Sequence, residues 1–105
     1  MKIINYDSYI LVNTDKNSSW ELLLDFLNKN NGTTPNCIIN ILETNLDTDV
    51  IIRKLIPFYL NWEKQNKSFI LVSHNGRNIA KDIVLIKTLE EAVDFFHMQQ
   101  LIRNI

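Results

Sequence analysis

Residues Cys37 to Val50 read CIINILETNLDTDV, an apolar run broken by Asn40, then a polar loop, then a return to apolar periodicity. Cys37 to Leu42 have the nearly continuous hydrophobicity of a central strand covered on both faces, the pattern of strands in parallel sheets. Buried there, the Asn40 amide requires a hydrogen-bond partner. Ile51, Leu55, Phe58 and Trp62 recur at helical spacing, so a helix follows the loop and ends in the polar residues Glu63 to Lys67. A strand running into such a helix is half of a crossover, and crossovers join parallel strands.

Upstream, Lys2 to Asn5 and Ser8 to Asn13 are short runs rich in Ile, Tyr and Val that suggest a β-hairpin. Ser18 and Glu21 have capping-box spacing, and Trp20, Leu23, Leu24 and Leu27 follow on one helical face until Asn30-Asn31-Gly32 stops them. Downstream, Pro57 removes a backbone donor from the second helix, which predicts a kink or two abutting helical pieces. Ser68 to Ser73 read as a second buried strand, His74-Asn75-Gly76 as a turn, Arg77 to Asp82 as one helical turn at most, and Ile83 to Ile86 as a third apolar run. Thr88 and Glu91 form a second capping box, opening a helix that can reach the C-terminus. Strands alternating with helices predict one α/β domain over residues 1–105, with a mixed, mostly parallel sheet, an N-terminal hairpin and covering helices.

Composition narrows the function classes. The 105 residues carry 11 basic and 12 acidic side chains interspersed, so no basic field for nucleic acid is present. No apolar run approaches the roughly 18 residues of a membrane span, and the start MKIINYD lacks the apolar core of a signal peptide. Cys37, the only cysteine, reads as a core residue in a reducing compartment, and the expected location is cytoplasmic.

The loop after the central strand crowds Glu43, Asp47 and Asp49 around Thr44 and Thr48. One reading makes Asp47 or Thr48 the N-cap of the second helix, with Asp49 complementing its dipole. A second makes the loop a docking surface for a protein partner, and a third lets the three carboxylates supply hard oxygen ligands to a cation such as Mg²⁺. His74, His97 and Asn75-Gly76 read more simply as turn or boundary residues than as catalytic groups, and no Ser-His-Asp or Cys-His pairing follows from spacing.

The opening hairpin, the central strand ending in an Asp-containing loop, the strand after a Lys-rich helix end and the closing KTLEEAVDFF together resemble the STAS domain, typified by bacterial anti-sigma factor antagonists. The resemblance covers almost the whole chain; NKSFILV and LEEAVDFFHMQQLIRNI also resemble short stand-alone bacterial STAS-like proteins. Some of those are labelled ribonuclease Z, but the metal-binding His-x-His-x-Asp-His run of that nuclease has no counterpart here. In the antagonists the corresponding loop reads approximately Asp-Ser-Ser-Gly, and its serine is phosphorylated by the partner kinase. Asp47-Thr48 matches Asp-Ser in type, which makes Thr48 the implied phosphosite, whereas Asp49-Val50 departs from Ser-Gly. A phosphate on Thr48 would sit among like charges, so the loop reads as degenerate and Thr48 as structural.

The resemblance therefore implies a non-catalytic regulatory protein-interaction module that needs no cofactor and meets a protein partner through Glu43, Asp47, Thr48, Asp49 and the second helix. The alternative is a small-ligand or metal-binding domain with its site at the carboxyl ends of the strands, in which case a pocket should open between Asp15, Glu43 and His74. The closing helix adds an expectation of its own. Leu89, Ala92, Val93 and Phe96 make a stripe for the sheet, while Phe95, Met98, Ile102 and Ile105 make another about 150° away. Either the helix ends near Phe96 and the tail folds back, or a second copy covers that stripe in a homodimer.

Overall fold

A computed structural model describes residues 1–30, 32–33, 35–44, 47–74 and 83–104, with the backbone alone at Thr48. The expected turn at Asn75-Gly76, the helical turn at Arg77 to Asp82 and the stripe residue Ile105 lie outside the described residues. The chain forms β1 (Lys2–Asn5), β2 (Ile10–Asn13), α1 (Trp20–Lys29), β3 (Cys37–Asn40), α2 (Thr48–Lys64), β4 (Phe69–Val72), β5 (Val84–Ile86) and α3 (Leu89–Arg103). The strands make one five-stranded sheet in the order β1-β2-β3-β4-β5, antiparallel only between β1 and β2. This is the expected α/β fold with a mixed, mostly parallel sheet.

The register divides the strand residues between two cores. Val12, Ile39 and Leu71 align across the sheet and pack with Leu23 and Leu27 of α1 and Ile51, Ile52, Leu55 and Trp62 of α2. Leu11, Ile38 and Ile70 form the adjacent row and pack with Ala92 and Phe96 of α3. Helices therefore cover both faces, and Cys37 to Ile39 of β3 and all of β4 need apolar side chains at successive positions, as the nearly continuous runs anticipated. Cys37 is fully buried in the first core, where loss of solvation pushes its thiol pKa up and keeps it neutral.

Several local expectations change. The α1 N-cap is Ser19, whose side chain accepts from Leu22 N, whereas Ser18 turns back to hydrogen-bond Asp15. Ser18 and Glu21 therefore form no capping box. Pro57 does not split the second helix, because α2 is one element from Thr48 to Lys64. Buried Ile51, Ile52 and Leu55 before the proline and buried Trp62 after it hold both halves on the sheet. Trp62 Nε1 also donates to Pro35 O at 2.7 Å, fixing the end of α2 beside the entry to β3.

The closing helix does not end near Phe96 with a folded-back tail; it continues to Arg103. Its last turns are anchored at Ser68, whose hydroxyl donates to Gln99 Oε1 at 2.7 Å and accepts from Arg103 Nη1 at 2.8 Å. Polar side chains thus hold the sheet-facing side of α3 beyond its apolar stripe.

Candidate functional site

Asp47 is the α2 N-cap. Its carboxylate accepts from Asp49 N at 3.0 Å and Val50 N at 3.3 Å, satisfying amides that have no partner within the helix. Asp49 follows in the first turn, exposed, where its charge complements the dipole. Thr48 is the first helical residue, and the phosphosite reading of its hydroxyl lies outside the described atoms. Glu43 is exposed on the loop but faces a different feature. Among the described residues no three His, Cys, Asp or Glu side chains gather as a metal-ligand set, so Glu43, Asp47 and Asp49 are not brought together as one.

The loop leads onto the solvent face of α2. Val50 and Leu60 expose 41% and 47% of their surface on this outward helix face, and exposed Arg53, Lys54 and Pro57 lie between them. Lys54 Nζ lies 5.2 Å from the centroid of the Trp20 ring, bridging α2 to α1. These residues lie on the helix expected to dock a partner, though no motif singles them out. The signal was present in Val50 and Leu60, which fall outside the core stripe of Ile51, Leu55 and Trp62.

Glu43 instead lines a hollow of about 400 Å³ at the carboxyl ends of β2 and β3, with Asp15, Lys2, Asn13 and Asn40. Lys2, Asn13 and Asn40 belong to one register row, on the same side of the sheet as Val72 and Ile86. The row is polar where the hollow lies and apolar where α3 covers it. Asn40 Nδ2 donates to Asn13 Oδ1 at 3.1 Å while Asn40 Oδ1 accepts from Leu42 N at 3.0 Å, which supplies the partners that a strand asparagine requires. Thr14 Oγ1 donates to Asn40 O at 2.9 Å. The anticipated pocket thus contains Asp15 and Glu43, but His74 is not in its lining.

Asp15 is a well-held carboxylate. Asn17 N donates to Oδ1 at 2.8 Å, and the N-terminal ammonium donates to Oδ2 at 3.3 Å. The Asn17 amide first, then the N-terminal ammonium and the Ser18 hydroxyl, hold its pKa below the ordinary 3.8. At the opposite end of the strands Tyr9 stacks on Tyr6 with centroids 4.8 Å apart and meets Phe96 at 5.0 Å. Burial, followed by the neighbouring Tyr6 hydroxyl, raises its pKa above 10.0.

On α3, Phe95 packs partly into the second core instead of standing free, while Met98 and Ile102 expose 49% and 63%. Leu101, which belongs to neither apolar stripe, exposes 70%. Among the described residues no helix is long and apolar enough to cross a membrane. The chain matches no family model and, at a significant level, no curated protein, so what these surfaces can do rests on their own geometry.

Proposed function

We propose that the chain is a non-catalytic regulatory module, similar to anti-sigma factor antagonists, that binds a protein partner through its degenerate Glu43, Asp47, Thr48, Asp49 loop and the outer face of α2. The observation that carries the reading is the exposure of Val50 and Leu60 beside Arg53 and Lys54, directly after the Asp47 cap. Apolar anchors among charged residues are what a specific, reversible interface needs. The hairpin, the parallel crossovers and the helix start after β3 agree with what the resemblance implies. In this reading the protein works in a bacterial cytoplasm, and Thr48 serves the helix start instead of accepting phosphate.

The test is capture of partners from extracts of the source cells on immobilised wild type, Val50→Asp and Leu60→Asp, with Glu21→Lys on α1 as control. A partner held by wild type and control but lost by both α2 variants is expected; equal retention by all four refutes the surface. Intact-mass measurement of protein from its own cells should find no phosphate on Thr48.

The hollow supports a second reading, a small-ligand site. The observation in its favour is the Asn13–Asn40 pair forming its polar floor, with Lys2 and Glu43 offering opposite charges around it. Shifts of the Asn13 and Asn40 amide resonances during titration with magnesium chloride or glycine would support this reading, and unchanged spectra would remove both ligands from consideration.

A further inference from the structure

Helices α2 and α3 lie on opposite faces of the sheet and run in the same direction. Each begins beyond the carboxyl end of a parallel strand, α2 after β3 and α3 after β5. Each ends beside a strand entry: Trp62 of α2 reaches Pro35 just before β3, and Arg103 of α3 reaches Ser68 just before β4. A copy displaced along the direction from one face to the other would therefore set its α2 parallel to the α3 of its neighbour.

The solvent residues of the two helices match in spacing. Exposed Arg53, Pro57 and Leu60 stand at i, i+4 and i+7 on α2; exposed Asp94, Met98 and Leu101 stand at i, i+4 and i+7 on α3. At 1.5 Å per residue both sets span about 10.5 Å. Laid in parallel, Arg53 meets Asp94, Pro57 meets Met98 and Leu60 meets Leu101. One turn earlier, Val50 comes opposite Glu91, at the edge of a groove of about 320 Å³ lined by Ile86, Phe95 and Met98. Among the described residues the ion pairs are Met1 with Asp15 and Lys29 with Asp25, which leaves the Arg53 and Asp94 charges available for a partner. The outer α2 face presents Arg53 and Lys54, and the outer α3 face presents Glu91 and Asp94.

We propose that copies of this chain stack head to tail, the outer face of α2 in one copy seated on the α3 stripe and groove of the next. Such a contact joins two different surfaces, so each added copy leaves one of each free, and assembly continues beyond a dimer unless a ring closes. It rests on the reading of outer α2 as a docking face and adds regulation to it, since a stacked copy has that face covered.

Sedimentation velocity over a concentration series, with far-ultraviolet circular dichroism to check folding, tests the arrangement on wild type, Arg53→Glu, Asp94→Arg and an equimolar mixture of the two variants. Wild type should grow past the dimer with concentration and dissociate in high salt. Each variant alone should be monomeric, because reversal sets like charges face to face. The mixture should assemble again, because each reversed side chain then finds its opposite in the other variant. Wild type that stays monomeric at its highest soluble concentration overturns the stack, as does a mixture of folded variants that stays monomeric. A wild-type dimer that Arg53→Glu leaves intact overturns it in favour of two-fold pairing through Met98 and Ile102. Partner capture by Val50→Asp is read separately, so loss of the stack and loss of the docking reading are distinguishable.

Discussion

Asp47 accepts hydrogen bonds from two backbone amides that a helix start would otherwise leave to solvent. Asp47→Ala should therefore lower stability by about 1 kcal/mol, read from urea midpoints, with little change in the slope. The sequence narrowed the cap to Asp47 or Thr48, and only the backbone conformation identifies which residue precedes the first turn. Asp15 makes a different prediction, through pH. Its carboxyl pKa is lowered in the folded chain, chiefly by the Asn17 amide, so the folded state favours the ionised form. The resulting stability is fully present above the ordinary 3.8 and is lost as pH falls through the lower folded value. Asp15→Asn should consequently be less stable than wild type near neutrality, and the gap should close toward acid. A constant gap across the acid range would refute this account of Asp15.

At the scale of the element, α2 shows tertiary packing overriding a local penalty. Pro57 leaves the Arg53 carbonyl without its intrahelical donor, yet the helix spans Thr48–Lys64 because apolar residues on both sides of the proline are buried against β3 and β4. Since Pro57 is exposed, Pro57→Ala should stabilise the chain, by up to about 3 kcal/mol, in thermal or urea unfolding. An unchanged or lowered midpoint would mean that the packing around α2 is adapted to Pro57. The α1 start makes the complementary point. The spacing pointed to Ser18 as the cap, and Ser19 takes that place while Ser18 is engaged by Asp15. That contact depends on how the chain leaves β2, which no helical periodicity records.

For the whole molecule, the sheet register separates what the core uses from what it leaves outside. Phe96 of α3 is fully buried against the sheet, whereas Ile102, on the same helix, is 63% exposed. Phe96→Ala should cost about 3–5 kcal/mol of stability. Ile102→Glu should stay within about 0.5 kcal/mol for the isolated monomer. Chemical unfolding at low protein concentration measures both, and a large loss from Ile102→Glu would place that side chain in a packed environment. The register also sets the hollow at the strand ends: Asn13 and Asn40 fall in one row with Lys2, and Leu89 at the start of α3 borders the hollow. The end of a strand at Asn13 and the need of Asn40 for a partner were legible, but their pairing was not, because two residues separated by 27 positions meet only when the strands align in one register.

The sequence by itself determined the order of elements, the parallel character of the sheet and the identity of most core residues. Buried parallel strands need nearly continuous apolar runs, as in CIINIL and SFILV, and covering helices need apolar stripes; both signals are local. Tertiary structure decided whether Pro57 divides α2, and that α3 passes Phe96 and is held at Ser68. It also joined Asp15 and Glu43 in one hollow without His74, and set α2 and α3 parallel on opposite faces with their exposed residues in matching order. Each of these depends on strand register or on contacts between residues far apart in the chain, and such long-range geometry leaves no periodic trace in the residues that make it.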